Sequence, residues 1–455
     1  MVINMKADDM FDGVTDIRDD LIGGAGKARK GGGRKWWLGA VAAVLAVAIA
    51  VGAFLRPGGG LTAYAVAQAQ YPGQARQTDV GDISSLRPFF ARSAQAFLTG
   101  TPGENRVYSP LNVYVALSML AQITDGDSRG QILELLGSGG MDELRRQVSD
   151  LWNASYRDSK KAVTILASSL WMNKDVSFNQ DTMDLLARDF YASSYRGEMG
   201  SKQFNEALQD WLNQQTGGLL KEQAGNIKMD PNIILALATT LYFKAPWMNE
   251  FSKERTAPQT FHTPAGDVEA DFMNQINTKT CYWGEGFTAV RQSFEEGGAM
   301  WFLLPDEGVS PEELLDGGDG ADFLFTVDKS QWDRQKFALV DQSIPKFDVA
   351  DQFDLGDGLK ALGVTDVYDP VRADFTPMTA DVDGPITLSM ANHAARVVID
   401  EEGCTAAAFT VEAVGGAAIP DDEVDFVLDR PFLFCITGDS GLPLFVGIVN
   451  NPAGN

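Results

Sequence analysis

An α+β fold preceded by one membrane-spanning helix is the fold class this sequence predicts, on three observations. Helical spacing of apolar residues is concentrated early in the chain and strand-like runs late, without the regular alternation of a doubly wound sheet. With 455 residues, 45% of them apolar, the chain can bury a large core. One uncharged apolar run, WWLGAVAAVLAVAIAVGAFL from Trp36 to Leu55, stands apart from both patterns.

Residues 1–35 are polar, begin acidic (Asp8, Asp9, Asp12, Asp16, Asp19, Asp20) and end in GKARKGGGRK, a composition expected of a disordered cytoplasmic tail. The span 36–55, at about 1.5 Å per residue, is long enough for a hydrocarbon core of about 30 Å. Lys27, Arg29, Lys30, Arg34 and Lys35 precede it and Arg56 alone follows closely, so the positive-inside rule leaves the N-terminus in the cytoplasm and the remainder outside the cell. The alternative is a signal peptide cleaved near Ala63, Tyr64 and Ala65, with a secreted product; the run is longer than the roughly 7–15 apolar residues usual for one. Residues 56–84, rich in Gly, Ala and Gln, read as a tether, which leaves 85–455 as the folded domain.

Within that domain, helices are predicted at Val113 to Ile123, Met141 to Trp152 and Gln203 to Gln215. Strands are predicted at Ala162 to Trp171, Ile233 to Phe243, Ala299 to Leu304, Ala395 to Ile399, Phe432 to Ile436 and Leu444 to Val449. No internal repeat is present.

Composition excludes several functions. A formal charge of -25 is opposite in sign to what a phosphate backbone attracts, so no nucleic-acid partner is expected. Cys281, Cys404 and Cys435 are odd in number and far apart, the pattern of buried thiols rather than of a disulfide framework or zinc site. His262 and His393 are the only histidines, which leaves few candidates for a nucleophile–base couple; Cys404 with His393 could be drawn as one, but nothing local activates the thiol. GGAGKARK imitates a phosphate loop, yet Ala28 stands where a magnesium-binding hydroxyl is required. The chain is expected to be no enzyme and to need no cofactor or metal.

The last part of the chain reads HAARVVIDEEGCTAAAFT, then DRPFLFCI and LFVGIVNNP. Upstream stand NRVYSPLNVYVALSML, LASSLWM, WLNQQTGGLL, TTLYFKAPWMNEF, SIPKFDV and LKALGVTDVYD. In this order the segments resemble the serpins, the serine-protease inhibitor family, over about residues 85 to 453, and the chain looks like a membrane-anchored, prokaryotic member. The resemblance implies three β-sheets surrounded by eight or nine helices and an exposed reactive-centre loop. It implies a suicide inhibitor of serine or cysteine proteases: the target cleaves the loop, whose N-terminal part then inserts into the main sheet, a documented case of strand addition and strain release. A non-inhibitory serpin that binds or chaperones outside the cell is the alternative.

A segment that becomes a buried strand needs small or apolar residues on its inner face and no proline. The hinge Glu401, Glu402, Gly403, Cys404, Thr405, Ala406, Ala407, Ala408 meets this, with Cys404, Ala406, Ala408 and Thr410 directed inward. Phe409 is bulkier than the family's usual alanine, and Glu412 would point inward. Family-like spacing puts the reactive bond at Ala417–Ala418, suited to elastase-like proteases that prefer small residues. The resemblance also implies a polar cluster under the sheet, here Ser109, Asn112, Thr239 and His393, in which amide and hydroxyl have exchanged places at positions 112 and 239; a preserved hydrogen-bond network and independent drift both account for the exchange.

Overall fold

The structure, a computed structural model, describes residues 64–71, 80, 84–326, 328–379, 385–404 and 422–454. The proposed tail and the apolar run 36–55 lie outside these residues. No helix among the described residues is long and apolar enough to cross a membrane.

Nine α-helices occur among the described residues. In α1 (Arg87–Leu98), Pro88 sits in the first turn, where a missing N–H breaks no intrahelical bond. α2 (Pro110–Ile123) starts on Ser109, whose Oγ accepts from the Asn112 N–H at 3.2 Å, and is buried along nearly its whole length. Next come α3 (Gly126–Leu136), α4 (Met141–Ser155) and α5 (Gln180–Asp189). α6 (Lys202–Gln215) is amphipathic: Phe204, Leu208, Trp211 and Leu212 face inward at helical spacing. α7 (Lys221–Ala224), α8 (Gly318–Phe325) and α9 (Gly356–Ala361) are short.

Strands are numbered along the chain. Eight form the first sheet: β1 (Ala65–Ala67), β3 (Arg157–Asp158), β4 (Val163–Asn173), β5 (Ala192–Gly197), β6 (Leu235–Pro246), β12 (Phe347–Asp354), β13 (Leu388–Ile399) and β14 (Gly403–Cys404). Across the sheet they run β1-β5-β4-β6-β14-β13-β12, with β3 beside β4. Nine form the second: β2 (Arg106–Tyr108), β7 (Ala257–Thr263), β8 (Gly266–Gly284), β9 (Phe287–Ser293), β10 (Ala299–Pro305), β11 (Gln335–Pro345), β15 (Glu423–Val427), β16 (Phe432–Thr437) and β17 (Pro443–Val449).

Among the described residues the strands therefore form two continuous sheets in place of the three that the resemblance implied. The cause is β8, 19 residues long, which pairs with β7 and β11 along one part and with β9 along another, so one twisted strand joins what would be separate sheets. The tether is also shorter than its composition suggested. β1 adds to the edge of β5, and Tyr71 stacks on Trp152 with ring centroids 5.4 Å apart. An edge strand of three small residues has no periodicity to betray it.

The main core lies between the sheets and around α2, while a second apolar cluster (Trp171, Tyr195, Phe204, Leu208, Trp211, Ala236, Ala238) seats α6 on the outer face of β4, β5 and β6. Beneath the second sheet, the Lys279 Nζ of β8 donates to the Gln292 Oε1 of β9 at 3.0 Å and to the Gln342 Oε1 of β11. Gln292 and Gln275 in turn donate to the carbonyls of Asn249 (3.1 Å) and Glu250 (3.3 Å), fixing the turn that follows β6.

Burial lowers the Lys279 pKa to about 8. An unfolded lysine titrates near 10.4, so the folded state is penalised below about 8 and the penalty fades as pH rises toward 10.4. Lys279→Gln keeps a donor and removes the charge. Urea unfolding followed by tryptophan fluorescence should show the parent gaining about 1–3 kcal/mol on this variant between about pH 7 and pH 10; parallel pH profiles would contradict a strained ammonium here.

Candidate functional site

β6 and β13 are parallel neighbours from Leu235 opposite Leu388 up to Thr240 opposite Ala394. Above that point, residues 241–244 and 395–398 are not paired with each other, and the chain leaving β13 turns back between them. Cys404 faces Ile399 of β13 and Ala245 of β6, and Gly403 faces Pro246, both antiparallel. The sequence offset between β6 and β13 is the same at Cys404 as at Ala394 and Thr240, so the opening keeps the register of an antiparallel strand whose first residues are already placed.

The turn into β14 is built on Asp400. Its N–H donates to the Gly403 carbonyl at 3.0 Å, and its Oδ1 accepts from the N–H groups of Glu402 (2.9 Å) and Gly403 (3.2 Å). The segment after β6 grips the same turn from the other side. The Trp247 N–H donates to the Glu402 carbonyl and its indole Nε1–H to the Asp400 carbonyl, both at 2.9 Å, while its ring stacks on Phe294 at 4.7 Å. The Phe251 N–H donates to the Glu401 carbonyl at 2.9 Å. Glu402 pairs with Lys253 at 2.6 Å in an exposed contact of small energetic weight.

Glu401 is the buried charge of the site, 6% exposed. Its carboxylate accepts from Thr256 Oγ1 at 2.9 Å and meets Lys346 Nζ at 3.1 Å. Burial alone would raise its pKa, but its own backbone N–H, Lys346 and Thr256 outweigh that and hold it below the usual carboxylate range. Removing Lys346 would leave this buried carboxylate without its counter-charge.

Lower in the sheet, the Ser109 N–H donates to His393 Nε2 at 3.0 Å. Burial drives the His393 pKa down to about 3, so the imidazole is neutral, and Nδ1 has no partner among the described residues. Thr239 lies beside His393 in the strand register, with its hydroxyl 3.4 Å from Ser168 Oγ and 3.3 Å from the Ala167 carbonyl. The Asn112 side chain is buried, with neither its oxygen nor its nitrogen bonded among the described residues. The structure thus brings Ser109 and His393 together and makes no bond between Asn112 and Thr239, so no network joins the exchanged amide and hydroxyl among the described residues.

Of the hinge, Glu401, Glu402, Gly403 and Cys404 are placed together at the opening; Thr405, Ala406, Ala407, Ala408, Ala417 and Ala418 lie outside the described residues. Asp400, Trp247, Thr256 and Lys346 are the residues that sequence reasoning did not single out. Trp247 and Lys346 sit in TTLYFKAPWMNEF and SIPKFDV, but nothing in the spacing joins them to a carboxylate so far along the chain. A Cys404–His393 couple is ruled out by geometry: β13 runs six residues from His393 to the partner of Cys404, about 20 Å of extended chain. His262 is exposed, 2.7 Å from Asp267, which raises its pKa. No group of three or more His, Cys, Asp or Glu among the described residues could hold a metal ion.

Comparison with known proteins agrees with this arrangement. A profile of the family described as Serpin (serine protease inhibitor) matches residues 85–452. Serpin-Z1C of Triticum aestivum is 29% identical over 396 residues, which cover 82% of this chain and 98% of the relative. Serpin-ZX of Arabidopsis thaliana is 28% identical over 371 residues, 78% of this chain and 94% of the relative. Both are plant proteins, so they lend no support to a prokaryotic origin. The thermophilic serpin tengpin in its native state has the same fold, with a TM-score of 0.73 at 23% identity over 84% of this chain and 97% of that one. Arabidopsis AtSerpin1 in its native stressed conformation gives 0.70 at 26% identity over 83% and 100% of the two chains. With the profile covering most of the chain, this chain belongs to the serpin family.

Proposed function

We propose that this serpin is a suicide inhibitor of serine or cysteine proteases, cleaved at Ala417–Ala418, with elastase-like targets favoured. The observation that carries the reading is the opening between β6 and β13 with Gly403 and Cys404 already paired inside it. Extending their antiparallel register puts Ala408 between Leu241 and Ala395 and Thr410 between Thr239 and His393. Cys404, Ala406, Ala408 and Thr410 then share the inner face with Ala245, Phe243 and Leu241, which belong to the main core. Small side chains fit there; Glu412 would come between Leu237 and Ala391, both buried, and marks where insertion becomes costly.

In chemical terms, the target's nucleophile attacks the Ala417 carbonyl and the Ala418 amine leaves with the C-terminal strand, so the protease stays acylated on Ala417. Residues 405–408 then gain ladder bonds on both flanks as they enter the opening, those from 409 onward only as the β6–β13 pairs from Thr240 and Ala394 downward separate, and the acylated protease is carried with them. Inhibition requires this pairing to outrun hydrolysis of the acyl bond. The run 36–55 would hold the domain at the outer face of the cell membrane.

Ala408→Pro removes a ladder N–H at the middle of the new strand. Incubated with an elastase-like protease, the parent should give a covalent complex on a denaturing gel, and the variant should be consumed as substrate, raising the stoichiometry of inhibition on the order of tenfold or more. A parent that is itself only cleaved would favour the binding or chaperone alternative.

Ala417→Arg should move inhibition toward trypsin-like enzymes, whose pocket carboxylate it would pair, with the released peptide of the parent beginning at Ala418 by mass spectrometry. A peptide starting more than one residue away would displace the assigned bond.

Protease added to intact cells should remove everything after Leu55 and leave the segment before Trp36 protected. A domain resistant to that treatment until lysis would reverse the topology.

A further inference from the structure

Residues 64–71 precede the family match, yet they are fastened to the first sheet at several points. Tyr64 packs edge-on against Phe204 in the first turn of α6, ring centroids 5.0 Å apart. β1 pairs with β5, Ala65 opposite Tyr195 and Ala67 opposite Ser194. The Ala69 N–H donates to Ser193 Oγ at 3.1 Å and the Gln70 N–H to the Ala187 carbonyl of α5 at 2.9 Å. Tyr71 stacks on Trp152 and Tyr156, and its hydroxyl lies 3.4 Å from the Gln215 Oε1 at the last turn of α6. The segment therefore follows α6 from one end to the other.

α6 matters because its exit covers the opening. After Gln215 the chain runs through Gly217, where a Cβ would come 3.0 Å from the Tyr242 ring of β6. Two residues on, the Leu219 carbonyl accepts from Arg396 Nη1 of β13 at 2.6 Å, and Arg396 is fixed by Asp348 of β12 at 2.7 Å. Tyr242 and Arg396 lie in the two unpaired stretches that flank the opening. In the extended register they stand on either side of Ala407, so a strand entering the sheet must pass beneath residues 217–219 and displace them outward. Any restraint on α6 is then a restraint on entry.

We propose that residues 64–71 are a strap that holds α6 against the outer face of the first sheet and so sets the rate at which the opening admits a strand. The proposal rests on the insertion reading above, but its test does not need a protease. A fluorescent synthetic peptide of residues 405–414 is mixed with the full chain in detergent, and its incorporation is followed by anisotropy and by the rise in thermal midpoint. Tyr64→Ala combined with Tyr71→Ala should anneal the peptide about five- to tenfold faster than the parent. Tyr64→Phe with Tyr71→Phe, which keeps the rings, should remain close to the parent rate. Ala69→Pro removes the bond to Ser193 without touching the aromatic cluster and should also accelerate annealing, which keeps the test decisive if the alanine pair folds poorly. Variants that lose thermal stability but anneal at the parent rate would overturn the strap and leave insertion standing. A peptide that enters none of the proteins, parent included, would overturn the insertion reading and the strap with it.

Discussion

The parallel pairing of β6 with β13 is completed over only half its length, and the rest of the molecule is arranged around that incompleteness. Each strand is bonded on its far side, β6 to β4 and β13 to β12, so both are held straight through the stretch where they lack each other. A sheet interior with unbonded backbone groups is costly, because buried N–H and C=O groups lose water without gaining a partner. The cost is localised: Gly403 and Cys404 cap the top of the opening, and the chain leaving α6 lies across its outer face.

Holding the cap in place falls to polar groups that would be unfavourable elsewhere. Glu401 is a buried carboxylate that is tolerable because Lys346 and Thr256 meet it, and both come from outside the sheet's central strands. The turn carrying Trp247 is fixed from below by the glutamines around Lys279, so the second sheet sets the position of the hinge in the first. The cap in one sheet is thus held by polar groups fixed in the other.

The strongly patterned parts of this architecture were legible in the sequence. Ile233 to Phe243 is β6 within a few residues, and Phe432 to Ile436 is β16, because continuous apolar runs bounded by turns have few other uses. Only the upper half of β13 was visible as Ala395 to Ile399; the lower half carries Asn392 and His393, buried polar residues that break the alternation a strand ordinarily shows. β14 is a strand only because two neighbours are there to receive it, and β1 only because β5 presents an edge; no local pattern encodes either. Serpin motifs in order drew attention to Glu401–Cys404, whereas the partners of Glu401 were hidden because contact across so much intervening chain leaves no periodic signature.

Sheet edges have a bearing on how such a molecule coexists with its own copies. On one side, β1 covers β5 and is itself three residues long, too short to template an incoming chain. On the other, β12 carries Asp348, Asp351 and Asp354, held by Arg396, by Arg106 and by the N–H groups of Gly356 and Ala391, which gives that margin a fixed polar border. A neighbouring molecule therefore meets a three-residue strand at one margin of the first sheet and a polar border at the other, while the gap in the pairing of β6 with β13 lies in the interior, capped by Gly403 and Cys404 of the same chain.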